Sequence, residues 1–259
     1  MSEHTDWHKR ELDHLFEAGW MARENGNPQR ALAILSPLAL EYIDLENFWK
    51  AAECLNHIGI MYKNMARSTH KQVYVQLASL QFNSAHRIMQ HDPNLSNGRQ
   101  AIQLMHLGEV DMLKGNFSEA AEKFTKAYEF RKGDTPALQG YSRGHAAWAS
   151  YLHGLENDNE DLKESAKTEG TEALKMIRQE IESGSQKHSE TQMRIWETGA
   201  LIVFAKIAKI EGDDDSYNRC LNEAETIAQQ YQLVTRLEQM NNLKHFEYSE
   251  VKGNIFDLA

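Results

Sequence analysis

The chain is 259 residues long, 41% hydrophobic, and carries a formal net charge of −10. That is enough apolar content for a sizeable core, while the excess of acid and the lack of any Lys/Arg cluster exclude a nucleic-acid backbone as partner. With only 4 Pro and 15 Gly, and no sustained Val/Ile/Thr/Tyr alternation, the chain is expected to be all-α.

The amino-terminal stretch MSEHTDWHKRELDH is polar and has no apolar signal region, so no leader is expected. His4 and His8 stand four apart, as a helical metal clip would, but no third ligand follows and no metal or cofactor is expected. From Glu11 a first hairpin is read over about 11–42. Leu15, Gly19 and Ala22 lie on its first helix, Gly26-Asn27-Pro28 make the turn, and Ala31, Leu35 and Leu38 lie on its second, which Pro37 should kink or shorten. A second hairpin, about 47–92, carries Leu55, Ile58, Gly59 and Tyr62, then Ala78, Phe82 and Ala85. Seven extra residues there call for longer helices or an enlarged turn around Ser68–Lys71.

The third hairpin, about 98–132, is the best defined. Leu104, Leu107 and Gly108 fall on one helix, Gly115-Asn116-Phe117 form the turn, and Ala120, Phe124 and Ala127 fall on the second. Small residues at Gly108 and Ala120 would let paired helices approach closely. A fourth hairpin spans about 136–182, with Leu138, Tyr141, Ala147 and Trp148 on its first helix and Ala166, Leu174, Ile177 and Ile181 on its second. A fifth spans about 190–231, turning at Gly212-Asp213-Asp214-Asp215; those aspartates lack calcium-loop spacing and read as helix-start acids. A last helix, about 233–248, offers Leu237, Met240 and Leu243 to cover the end of the stack, and the tail VKGNIFDLA packs on it or frays. The most apolar run, Ala200–Ala208, is broken by Lys206 and is too short to span a bilayer. Cys54 and Cys220 have no CxxC companion and read as small buried side chains. A cytoplasmic setting without a membrane partner follows as the expectation.

The pattern Leu-Gly, a turn near the fifteenth position, then Ala-x3-Phe-x2-Ala in LMHLGEVDMLKGNFSEAAEKFTKA resembles a tetratricopeptide repeat (TPR). Asp111 departs from it, since the family usually has an aromatic there. Extended over five hairpins, the resemblance implies one domain: a right-handed α-solenoid with a carboxyl-terminal capping helix. Its equivalent glycines, Gly19, Gly59, Gly108 and Gly144, are unevenly spaced, loosely similar to bacterial regulatory TPR arrays; Ala205 takes the place in the fifth hairpin.

The same resemblance implies a concave groove lined by fixed offsets from those glycines. The residues are Phe16, Trp20 and Arg23; Asn56, Ile60 and Lys63; Met105, Glu109 and Met112; Tyr141, His145 and Trp148; and, in the fifth hairpin, Ile202, Lys206 and Lys209. Aromatics and Met with a few polar groups suit an adaptable protein-binding wall; several, Trp148 and Ile202 above all, suit a core between repeats equally well. The clamp that holds acidic chaperone tails is disfavoured, because only Asn56 and Lys63 have the character it needs. No HExxH, GxSxG or Cys/His pairing points to catalysis. The expectation is a non-catalytic scaffold or adaptor for a protein or peptide; the alternative is a receptor sensing a peptide or small ligand. Self-association through the Ala200–Ala208 helix or the last helix is a further possibility for a homo-oligomer.

Overall fold

The computed structural model describes residues 2–245, with side chains from residue 10 onward. The His4/His8 side chains, the end of the predicted capping helix and the VKGNIFDLA tail lie outside the described residues. Among those described there are eleven α-helices and no strand. Packing divides the chain into two units, Met1–Val110 and Asp111–Ala259. Unit 1 holds α1 (Ser2–Glu24), α2 (Pro28–Asp44), α3 (Phe48–Thr69), α4 (Gln72–Met89) and most of α5 (Asn97–Lys114). Unit 2 holds the last turn of α5, then α6 (Phe117–Phe130), α7 (Pro136–Glu156), α8 (Glu160–Glu182), α9 (Glu190–Glu211), α10 (Asp214–Gln230) and α11 (Val234–His245).

One turn chemistry recurs along the sequence. At Gly26-Asn27, Glu46-Asn47, Gly115-Asn116, Asp158-Asn159 and Gly212-Asp213, the first residue takes a left-handed conformation. The second residue donates its N–H five residues back, to Ala22, Tyr42, Asp111, Gly154 and Ala208 respectively, which satisfies a carbonyl orphaned at the helix end. That second residue also begins the next helix: Asn27, Asn47, Asn159 and Asp213 accept from the backbone N–H three residues on. Stop and start are thus written in two adjacent residues, and the connection stays short.

Close helix approach follows where the small residues predict it in unit 1. A methyl group on Gly19 would stand 2.7 Å from Leu35, and one on Gly59 would stand 2.6 Å from Phe82. Leu35 and Phe82 are fully buried, each contributing about 2–3 kcal/mol of transfer free energy. Leu35 belongs to a core with Leu38, Tyr42, Cys54, Ile58 and Met61, while Phe82 is buried on α4 along with Val75, Ala78, Ala85 and Met89. Leu12 and half-buried Phe16 fill the α1 face, leaving Leu15 exposed rather than in the core.

Two expectations are corrected, for Pro37 and for Gly144, and between them one open alternative is decided in favour of longer helices. Pro37 does not shorten α2, which runs on to Asp44; Pro37 is exposed, so water can reach the carbonyl it deprives, and buried Leu38, Ala39 and Tyr42 hold the turns beyond it. The seven extra residues of the second hairpin lie in its helices, 22 and 18 residues long, and only His70 and Lys71 separate them. In the fourth hairpin the tight point is Gly140, where a methyl would meet the Ala173 carbonyl at 2.5 Å; at Gly144 the nearest atom, the Ala173 Cβ, is 3.7 Å away.

In unit 2, Asp111 pairs with Lys123 of α6 at 2.7 Å, a polar substitute for the aromatic contact the repeat pattern leads one to expect. Buried Phe117 closes the same turn. The carboxyl-terminal core joins Leu201, Ile202 and Ala205 to Leu221, Ala224, Ala228, Met240 and Leu243, so α11 covers α9 and α10 as a terminal helix should.

Candidate functional site

The expected groove positions of unit 1 converge on a buried polar set. Lys63 Nζ donates to Glu109 Oε2 at 2.6 Å, joining α3 to α5, and His106 Nδ1 lies 3.4 Å from the same oxygen. His106 in turn stacks on Phe82, with ring centroids 4.8 Å apart. Burial would raise the Glu109 carboxyl, but Lys63, then His106, outweigh it and hold the group well below the ordinary carboxylate range. Burial lowers His106, keeping it neutral. His57, the neighbour of Asn56, is pushed down to about 4 by burial and by the nearby charge of Arg23.

Around this pair stand the remaining members of the set. Phe16 packs on His57 at 5.4 Å and carries Lys50 Nζ over its ring at 4.1 Å. Arg23 bonds Glu24, and Trp20 Nε1 donates to the same carboxylate at 3.0 Å, while Trp20 itself is 38% exposed. Asn56 is 5% exposed, and its Oδ1 meets no partner. Ile60 is half-buried and Met105 buried. The expected positions of unit 1 thus combine a buried ion pair with a partly exposed aromatic, Trp20.

Unit 2 gathers aromatic rings. Tyr141, half-buried on α7, meets His145 edge-on at 4.7 Å and Trp196 of α9 at 5.6 Å. Trp196 meets His188 at 5.1 Å, and His188 Nε2 is 3.0 Å from Thr135 Oγ1. His145 also packs on Phe124 of α6 at 5.1 Å. Met112, Trp148 and Ile202 are buried. Lys206 lies 5.7 Å above the Trp148 ring, and Lys209 donates to the Leu243 carbonyl at 2.6 Å, tying α9 to the segment carrying α11.

The sequence pattern does not single out Trp196, His188, Thr135 or Arg131, because none stands at a fixed offset from a repeat glycine. The available signal was weaker: Trp196 and Met193 continue the apolar stripe of α9 toward its start. Two surface hollows, about 340 Å³ against Phe48, Trp49 and Pro93 and about 510 Å³ against Arg178, Ile181 and Glu197, contain none of the expected groove residues. Among the described residues no cluster of three metal-ligating side chains occurs, and no helix is long and apolar enough to cross a membrane.

No protein-family model and no curated protein matches the sequence. Among solved structures, the chain is similar to the nearly identical TPR-like repeats of a kinesin light chain-like protein from Podosopora anserina. A single-substitution form of those repeats aligns with a TM-score of 0.52 at 15% identity, covering 86% of this chain and 96% of that one. A second structure of the repeats aligns at 0.50 and 13% identity, covering 85% and 96%. The chain therefore has the fold of a TPR-like α-solenoid, built from helices that pack pairwise.

Proposed function

We propose that the chain is a non-catalytic interaction module that holds a protein or peptide partner along the inner wall of its helix hairpins, which act together as one domain. The observation that carries this reading is the gathering of the inner-wall positions within each unit: Arg23, Lys63 and Glu109 around one buried ion pair, and Tyr141 and His145 around Trp196. Half-buried aromatics beside fixed polar groups supply area at low entropic cost, with directional contacts at the edge. The cytoplasm is the compartment proposed, in keeping with two free thiols, Cys54 and Cys220.

Trp20 and Tyr141 are the test, being the expected groove aromatics with accessible surface in each unit. The wild-type chain and a Trp20→Ala/Tyr141→Ala double variant serve as paired baits for native extract. The expected result is a partner retained by the first and lost by the second, with helical circular dichroism and melting temperature nearly unchanged. A fold lost together with the partner assigns both rings to the core and overturns the reading.

A further inference from the structure

Arg131 ends α6 and is 5% exposed, yet its Nε and Nη1 meet no hydrogen-bond partner. No carboxylate among the described residues of unit 2 lies within ion-pair distance of it. Burial lowers the guanidinium, and Tyr141 and Asp134 are the groups that oppose that shift. Three half-buried arginines of this unit meet carboxylates, Arg143 with Glu169, and Arg178 and Arg194 with Glu197, and half-buried Arg236 donates to Gln239. A guanidinium cannot shed its proton, so one buried without an anion is a standing electrostatic cost that only an incoming acceptor relieves.

What surrounds it limits that acceptor. Arg131 closes α6, which packs on α7, and α7 carries Tyr141, the ring that meets His145 and Trp196, with His188 against Trp196. The loop after Arg131 carries Asp134, and Glu129 just before it is bound to Lys132. A dianion would bring excess negative charge beside those acids, whereas a single carboxylate matches a single guanidinium.

We propose that Arg131 is the receptor for one carboxylate of a bound peptide, laid beside Tyr141 and Trp196. This rests on the interaction-module reading and adds the chemistry of the group recognised in unit 2. Such a carboxylate comes from an acidic side chain or from a chain end, and the two present the same group to Arg131.

The test uses the full chain labelled with ¹⁵N, following the Arg131 Nε–H resonance and the melting temperature at constant ionic strength. Probes are N-acetylglutamate α-amide, which has only the side-chain carboxylate, N-acetylglutamine, which has only the terminal one, and the uncharged N-acetylglutamine amide as control. One or both acids are expected to move the Arg131 resonance saturably and raise the melting temperature, with the control inert; whichever acid acts at lower concentration identifies the source. Arg131→Met is expected to abolish the response and to melt higher than wild type without ligand, since a buried unpaired charge has gone. No saturable shift in the wild type, or stabilisation by the acids that persists in Arg131→Met, overturns the assignment. The resonance readout stands even if the variant does not fold. Its failure leaves the paired-bait result for Trp20 and Tyr141 untouched, so the two readings fail separately.

Discussion

Unit 1 and unit 2 are built from the same hairpin and finished differently. In unit 1 the close approaches fall at the expected Gly19 and Gly59, and the offset positions bring Lys63 and Glu109 to each other. In unit 2 the close approach has moved to Gly140, and the offset positions join a run of rings from His145 through Tyr141 to Trp196. The same hairpin can therefore carry different chemistry at equivalent offsets from its glycines. An ion pair with low exposure on both sides has its energy concentrated in one geometry, whereas contacts between rings spread it over area.

The largest expected effect breaks the ionic half of this contrast. Glu109→Ala leaves the Lys63 ammonium buried without its partner, which should destabilise the chain by about 3–5 kcal/mol in urea unfolding. Replacing both, Lys63→Met with Glu109→Leu, should recover most of that loss, because the penalty comes from a stranded charge rather than from missing attraction. A Glu109→Ala loss no larger than that of a surface substitution would show that the pair does not hold unit 1 together, and the contrast would dissolve.

A second expectation concerns pH. His57 has an ordinary value of 6.5 and a folded value of about 4. Below pH 6.5 the unfolded chain takes up a proton that the folded chain refuses, so stability falls as pH drops from about 6.5 to about 4. The slope for one group is about 1.4 kcal/mol per unit, hence about 3 kcal/mol over the window. His106, lowered in the same direction, adds to the slope. Glu109 acts lower still: its depressed value stabilises the fold above the ordinary carboxylate range and is lost only as pH falls through the folded value. Urea midpoints from about pH 7 to about 4.5 should therefore fall less steeply for His57→Phe than for wild type. Parallel curves would mean that His57 titrates as in the unfolded chain.

Much of the architecture was legible because it rests on local chemistry. Gly115-Asn116-Phe117 announces a left-handed stop, a helix start and a plug within three residues, and the helices on either side follow. The stops at Glu46 and His70 were hidden, since a left-handed conformation at a residue other than Gly, at φ 55° and 54°, leaves no mark in composition. Long-range pairing was hidden for a different reason. Lys63 and Glu109 are 46 residues apart, and an offset rule gives a side chain's direction but not what stands opposite, so the pairing left no trace in the repeat pattern. Arg131 had no signal at all: a residue closing a helix beside Lys132 and Gly133 reads as a solvated turn, and only the packing around it shows the burial.

The smallest expected effects test the displaced crossing, and they do so with a matched pair. Gly140→Ala puts a methyl 2.5 Å from the Ala173 carbonyl, a backbone atom that cannot swing aside, so α7 and α8 must separate at a cost of about 1–3 kcal/mol. Gly144→Ala meets only the Ala173 Cβ at an ordinary 3.7 Å, and replacing a helical glycine by alanine should stabilise the chain by up to about 1 kcal/mol. The two substitutions are chemically identical, one helical turn apart on the same helix, so effects on the unfolded chain largely cancel between them. Opposite signs in thermal unfolding place the nesting point of the fourth hairpin at Gly140. Were Gly144→Ala the destabilising member, the crossing would lie at the repeat-equivalent position, and both units would obey one register after all.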